Sequence, residues 1–587
     1  MTPGQSMRRR AFLAAASTGT AAATAGCVRE LRNLVGRQRA RQLSLTIAHP
    51  PAADDPYAVR IANRLADNLA RSGIDTVLDP MADDVLLREI LVNHDFDIYV
   101  ARYPGEGDPD QLRSLLYSTY AEEAGWQNPV GFSDIAMDET LDRQRTETGD
   151  ERVETVREIQ RQVVDEQPFT VVAYPDRIAG VRTDRYTDWP DGGLTLPADY
   201  LTLRRLADVD TVELLLRDNR ATHNRNPLSA EHRNQGDIIG LLYDPLVRQT
   251  RTGPIPWLAR DIDWTEHDGS LVAAADLRAA TWHDGHPVVP DDVAFTYRFL
   301  SDTSLDTFET PVPTPWRRGC VSLIDHIETN APEGELRIQF TTSNRDLARR
   351  ALTVPVLPEH VWHSRSDAAD LAGIDIVGGT TEALVTANEA AVGSGPLELA
   401  AATVDESLEL SVFDDHFLYG GDTDGIPDRL AGEPPFERLR FTVAPSHDAA
   451  VELLSAGSAD ATADGLQADV VSRVQRDESL SLRIARSNQF YHIGYNCRRA
   501  PTSDPHFRRA VARHIDRADI VAESMGGYAD PSEVPFTGEW VPNDLRWDGQ
   551  ASLSFFGEDG EINAEAAREA FQDAGYQYDD GQLVRRS

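Results

Sequence analysis

Short apolar runs that alternate with amphipathic helical stretches restrict this chain to a layered α/β architecture. Residues 43–47 alternate like a half-buried strand. After a Pro- and Asp-rich turn at 50–56, Tyr57, Ile61, Leu65 and Leu69 recur every four residues, the stripe of a helix that Gly73 ends. Apolar runs at 74–78 and 96–100 read as further strands. Strand, helix, strand in this rhythm favours parallel strands with helices packed on their faces. A second helical stretch at 151–166 is stopped by Pro168 and followed by a strand-like run at 169–174. Beyond a linker-like segment at 204–210, an apolar run at 212–216 and a helix-to-strand transition at 238–247 follow. Residues 257–300 read as a sheet and then a helix, with Asp291 or Asp292 as the N-cap. No fixed period repeats, which excludes solenoids and propellers.

Charge narrows the function. The chain has no lysine, so its 57 cations are all arginine, and they face 61 Asp and 35 Glu for a net charge of −39. Nucleic-acid binding needs a basic footprint, and an anionic membrane surface would be repelled. At molar salt the Debye length is roughly 3 Å, short enough to screen such self-repulsion. The composition is that expected of a salt-adapted protein, which loses stability as salt is withdrawn. Most acidic residues are then a solvated shell, and an Asp pair is weak evidence for a site. Nucleophile elbows, phosphate-loop spacing and His-Glu-x-x-His are all missing from the sequence. His360 and His363 read as polar residues at a helix boundary. No catalytic residue, cofactor or metal site is therefore expected.

The N-terminus reads as an address. Arg8, Arg9 and Arg10 precede a weakly apolar Ala/Thr-rich run, and Arg9-Arg10-Ala11-Phe12-Leu13 fits a twin-arginine export signal over residues 1–26. Thr24-Ala25-Gly26-Cys27 resembles a lipobox, with Cys27 as the lipidated residue and 27–42 as a tether. The expected location is the outer face of the cytoplasmic membrane of a salt-adapted prokaryote. No later segment approaches 18 consecutive apolar residues, so none is expected to span a membrane. Cys320 and Cys497 are expected to be buried free thiols.

A series of motifs then carries a family resemblance. Leu242-Tyr243-Asp244-Pro245-Leu246-Val247 is followed by Trp257-Leu258-Ala259-Arg260-Asp261 and by Trp282-His283-Asp284-Gly285-His286-Pro287. Next come Asp291-Asp292-Val293-Ala294-Phe295, Leu357-Pro358-Glu359-His360-Val361 and Val392-Gly393-Ser394-Gly395-Pro396. Gly494-Tyr495-Asn496, Asp504-Pro505 with Phe507-Arg508-Arg509-Ala510, and Asp516-Arg517 complete the run. The chain resembles the extracellular solute-binding proteins of family 5, the dipeptide, oligopeptide and nickel binders of ATP-driven importers. The resemblance implies an α/β, two-lobed periplasmic-binding-protein-like fold of type II, with the extra domain of the peptide-binding cluster and a hinge between lobes.

One departure concerns order. The family places about 160 residues after a segment like 564–575, yet this chain ends at Ser587, while 43–206 looks like that missing C-terminal portion. The expected architecture is a circular permutant. By projection, 43–175 with 488–587 form one lobe, 176–248 with 386–487 the second, and 249–385 an extra domain inserted in the second lobe. A separate module at 43–206 is the alternative.

The function implied is capture of a peptide or peptide-like solute between lobes and its delivery to a membrane permease, by a protein acting as a monomer. A sugar, a metal chelate or another small solute is the alternative ligand, and a surface sensor the alternative role. In peptide-binding members an Asp holds the peptide's α-amino group at the position of Gly105, and an aromatic residue stands at that of Arg102. Arg102 is therefore expected to meet an anionic group of the ligand, with Tyr103 beside it and Glu106 as a substitute carboxylate. Glu231, Arg233, Tyr491 and Asn496 are the other expected ligand contacts.

Overall fold

The computed structural model describes residues 42–105, 107–229, 236–267, 270–329, 336–369 and 379–584. Arg9, Arg10, Cys27, Glu106, Glu231 and Arg233 lie outside these residues. No helix among the described residues is long and apolar enough to cross a membrane.

Two mixed α/β sheets dominate. The first has strands in the order Asp75–Pro80, Ser44–His49, Ile98–Tyr103, Phe490–Tyr495, Phe169–Pro175 and Ala529–Pro531. Its first three strands are parallel, and Phe490–Tyr495 runs antiparallel to both of its neighbours. Helix Pro56–Arg71 covers one face, as its four-residue stripe predicts. Asp55 caps it by accepting from the amides of Tyr57 and Ala58 at 3.1 and 3.0 Å. Ala58, Ile61, Ala62, Leu65 and Leu69 are fully buried, each larger side chain contributing about 1.5–3 kcal/mol of burial. The core beneath joins Leu43, Leu45 and Ile47 to Ile493, Phe507, Phe571 and Leu583. The start and the end of the described chain thus share one core.

They also share hydrogen bonds. The Leu43 amide donates to the Leu583 carbonyl at 2.8 Å, and the Leu583 amide donates to Gly73 O at 2.9 Å. Gly73 is required here: its φ is +91°, and a Cβ would stand 2.3 Å from Gly581 O.

The second sheet runs Leu397–Thr403, Ser407–Val412, Arg438–Val443, Thr211–Leu216, Ala461–Thr462, Arg177–Arg182 and Leu480–Ala485. Thr211–Leu216 is parallel to both Arg438–Val443 and Ala461–Thr462. A third, four-stranded antiparallel sheet (Ala259–His267, Ser270–Leu277, Leu336–Phe340, Ile324–Glu328) packs in the same core as the second. Its side of the core holds the fully buried Trp257, Trp282 and Trp362. Helix Pro290–Ser301 departs from the expected cap. Pro290 takes the first helical position, and the buried Asp292 reaches back to accept from the Val289 amide at 2.9 Å.

The two large sheets are joined by a ribbon. Strand Phe169–Pro175 continues through Asp176 into Arg177–Arg182, and Leu480–Ala485 continues through 486–489 into Phe490–Tyr495. The strands pair antiparallel on both sides of the crossing. Arg486 clamps the crossing by pairing with Asp176 at 3.1 Å and with Asp530 at 2.5 Å. The backbone thus passes between the two large sheets at two adjacent connections.

Residues near the third sheet also contact the first sheet's layer. Asp110 is fully buried and accepts from Arg145 through both carboxylate oxygens, at 2.6 and 2.7 Å. Gln144 and Arg350 donate to it at 2.7 and 3.1 Å. Arg145 donates in turn to the carbonyl of Gly319, at 3.0 Å. Cys320 and Cys497 are free thiols, Cys320 buried and Cys497 half-buried.

Candidate functional site

Parallel strands deliver their carboxyl ends to one side of a sheet, and ligands of open α/β sheets sit there. Here both sheets point those ends at the same gap. Residues 50–57 follow Ser44–His49, Asp83 and Asp84 follow Asp75–Pro80, and Arg102 and Pro104 end the third parallel strand. From the facing sheet, 216–220 follow Thr211–Leu216, His447 follows Arg438–Val443, and 463–467 follow Ala461–Thr462. Together they line a cleft of about 550 Å³, within the range of small-molecule and peptide sites.

The two walls differ in charge. The first carries Asp54, Asp55, Asp83 and Asp84 against Arg102; the second carries Arg177, Arg217 and Arg220 against Asp218 and Asp464. Arg102 is exposed to the cleft and stands opposite Tyr491 in the strand register. The buried Tyr491 hydroxyl donates to Asp55 at 2.9 Å. Burial holds the Asp55 carboxyl above its ordinary range, although Arg102 and the helix amides pull it down. The walls touch at two points. Arg220 pairs with Asp83 at 3.4 Å, and the Ala468 amide donates to the Tyr57 hydroxyl at 3.1 Å.

The second wall holds polar atoms without a partner among the described residues: Oδ1 of Asp464, Nδ1 of His447 and Nε of Arg217. Buried polar groups of this kind are ordinarily bonded to protein, water or ligand. Asp464 accepts from the amides of Arg217 and Asp218, yet burial pushes its carboxyl up to about 6. Burial, with Arg217 adding to it, pushes the His447 imidazole down to about 4. The raised carboxyl has a consequence for stability. Between its ordinary value of 3.8 and about 6, Asp464 binds more protons folded than unfolded. Stability should therefore fall as pH rises through that window. Asp464→Asn should flatten that slope in melting curves taken from pH 4 to 7.

Of the described residues expected from sequence to contact ligand, Arg102 and Tyr491 line the cleft. Tyr103 and Asn496 do not. Neighbouring side chains of a strand point to opposite faces, so Tyr103 turns into the core, its ring 5.8 Å from that of Trp126 and 5.2 Å from that of Phe490. Asn496 is 1% exposed and organises a turn, donating to His94 O and Phe96 O at 3.0 and 2.9 Å. Gly105 carries no side chain for a spatial reason: its φ is +64°, and a Cβ would meet the carbonyl of Asn488 at 2.1 Å. Sequence reasoning missed Asp55, Asp83, Arg217, Arg220, His447 and Asp464. Their common signal is position, within a few residues after an apolar strand.

Residues 253–586, more than half of the chain, match the model of the middle region of bacterial extracellular solute-binding proteins, family 5. The chain belongs to that family. Family 5 is a family of solute-binding proteins, not of enzymes. The oligopeptide-binding protein AppA of Bacillus subtilis is 22% identical over 304 residues, covering 51% of this chain and 49% of AppA. The probable peptide-binding protein YejA of Agrobacterium fabrum is 27% identical over 244 residues, 40% of this chain and 34% of YejA. The chain thus spans about half or less of the length of these family relatives. Among solved structures, AppA of Bacillus subtilis with a nonapeptide gives a TM-score of 0.41 at 17% identity, covering 64% of this chain and 67% of that one. A mannohexaose-bound oligopeptide-binding protein of Thermotoga maritima gives 0.44 at 20% identity, with 64% and 65% covered.

Proposed function

We propose that this family 5 protein is the solute-binding component of an ATP-driven importer, and that it captures a short peptide or peptide-like zwitterion. The observation that carries the reading is the polarised cleft: a carboxylate-rich wall faces an arginine-bearing one across a two-stranded hinge. An amine would be held on the side of Asp54, Asp55 and Asp83, and a carboxylate on the side of Arg217. Asp54, Asp55 and Asp83 give the first wall partners for a cation despite the bare Gly105, with Arg102 beside Asp55 competing for its carboxylate. At high salt, distant attraction is screened, and recognition rests on direct hydrogen bonds inside the closed cleft. A ligand touching both walls favours the closed form because it has contacts there that the open form lacks. The closed monomer then docks on a membrane permease, held near it by a lipid on Cys27.

Titrating one bound peptide in free, N-acetylated and C-amidated forms tests this. Each block should weaken binding about tenfold or more, some 1.4 kcal/mol per factor of ten. Unchanged affinity with both ends blocked would refute the zwitterion.

We also propose that the chain is a circular permutant of its family. Shared strands, a shared core and the Leu43–Leu583 hydrogen bond support this reading. Chain ends that lie together on a surface can be joined by a short bridge and reopened at another exposed loop. The turn at Asp580-Gly581 and the residues before Leu43 flank such an opening.

A further inference from the structure

We propose that Asp284, His286 and His360, outside the cleft, form a binding site for a divalent transition-metal ion. The proposal does not depend on the solute-binding reading. Sequence spacing pairs His360 with His363; the fold pairs it with a different histidine.

Nδ1 of His286 lies 3.1 Å from Oδ1 of Asp284, and Nε2 of His360 lies 2.8 Å from its Oδ2. The two imidazole rings are 4.5 Å apart, and one donor atom from each residue falls within 4.8 Å of the other two. A metal bound at roughly 2.0–2.2 Å by such groups keeps neighbouring donors about 3 Å apart, close to the spacing seen here.

The scaffold holds this arrangement in place. Asp284 and His286 sit in a tight turn in which the Trp282 amide donates to His286 O at 2.7 Å and the Gly285 amide to Trp282 O at 2.8 Å. His360 is the second residue of the short helix Glu359–Trp362. The buried Asp292 fastens one to the other, accepting from Trp282 Nε1 at 3.3 Å and from the Glu359 amide at 3.0 Å. Trp282 and Trp362 anchor both pieces in the core. His283, in the same turn, is engaged elsewhere, between Gly393 and Gly395. The donors themselves face solvent, with His286 63% and His360 35% exposed, so an ion has a path in and room for water ligands.

Two imidazoles and one carboxylate suit zinc, nickel, cobalt or copper and not magnesium or calcium, which prefer oxygen donors. The ion would replace the two N–H groups now directed at Asp284 and bridge the 282–287 turn to the helix. Three protein ligands with open positions make an exchangeable site.

The test uses the full chain, stripped with a chelator and titrated with Zn²⁺ in molar salt at pH 7.5. One micromolar site per chain is expected, together with a raised melting temperature and no response to Mg²⁺. His286→Gln and His360→Gln should each weaken Zn²⁺ at least tenfold, and the double variant should lose it. Asp284→Asn keeps both histidines and should weaken binding less than the double variant does. These side chains lie at the surface, so the variants' unaltered melting without metal shows that the fold is intact. An unchanged Zn²⁺ isotherm in the double variant, or no binding by the unaltered chain up to millimolar Zn²⁺, overturns the proposal.

Discussion

Replacing Asp110 by alanine should destabilise the protein by about 3–5 kcal/mol, the cost typical of breaking a buried ion pair and stranding its partner. Arg145, nearly buried, loses the carboxylate it holds through two nitrogens, and Arg350 loses one of its contacts. The join between the first α/β layer and the region near the third sheet weakens with them. The measurement is chemical denaturation in molar salt, where surface pairs are screened and this one is not. A pH dependence goes with it. Burial alone would raise the Asp110 carboxyl, but Arg145 and Arg350 outweigh burial and hold it well below the usual carboxylate range. A depressed folded value contributes stability that is present above the unfolded value of 3.8 and lost as the pH falls below it. Acid unfolding of the unaltered chain should therefore be steeper below pH 4 than that of Asp110→Ala. A loss under about 1 kcal/mol would mean that the network is not the brace its geometry describes.

The second large effect concerns the chain's division. Residues 43–175, produced alone, should show no cooperative unfolding transition. Strand Phe490–Tyr495 lies between Ile98–Tyr103 and Phe169–Pro175, and without it the sheet has a gap at its centre. The core loses Ile493, Phe507, Phe571 and Leu583 as well. Mixing the fragment with residues 176–587 should restore near-ultraviolet circular dichroism and a melting transition. A fragment that melts cooperatively on its own would make the first segment an independent module and remove the permutation.

Much of this architecture is legible in the residues. The stripe of Tyr57, Ile61, Leu65 and Leu69 locates its helix, and Gly73 ends it because a close backbone approach admits no side chain. Periodicity works where burial is one-sided. It works less well for Tyr103 and Arg102, adjacent residues whose faces depend on a strand parity the sequence does not mark. The cleft is harder still. Asp55, Asp83 and Asp464 are three of 61 aspartates, and in so acidic a sequence nothing local marks the few that line the cleft. What singles them out is their place after the carboxyl ends of parallel strands, and strand direction needs the fold. Asn496 lies away from the cleft for the opposite reason. A motif shared with a family can be kept for a turn as readily as for a ligand, and here the side-chain amide is used up on two carbonyls.

Capture from a peptide mixture tests the central reading most directly. The purified chain is equilibrated in molar salt with a digest of short peptides, separated from unbound material, and its retained species are identified by mass spectrometry. The cleft described here predicts about one short peptide per chain, with free amino and carboxyl ends. Retention should fall at least tenfold in a variant carrying Asp55→Asn and Arg217→Gln, which removes an amine-side carboxylate from one wall and the carboxylate-side arginine from the other. No retained peptide, or equal retention by that variant, would contradict a peptide-binding cleft between the two lobes.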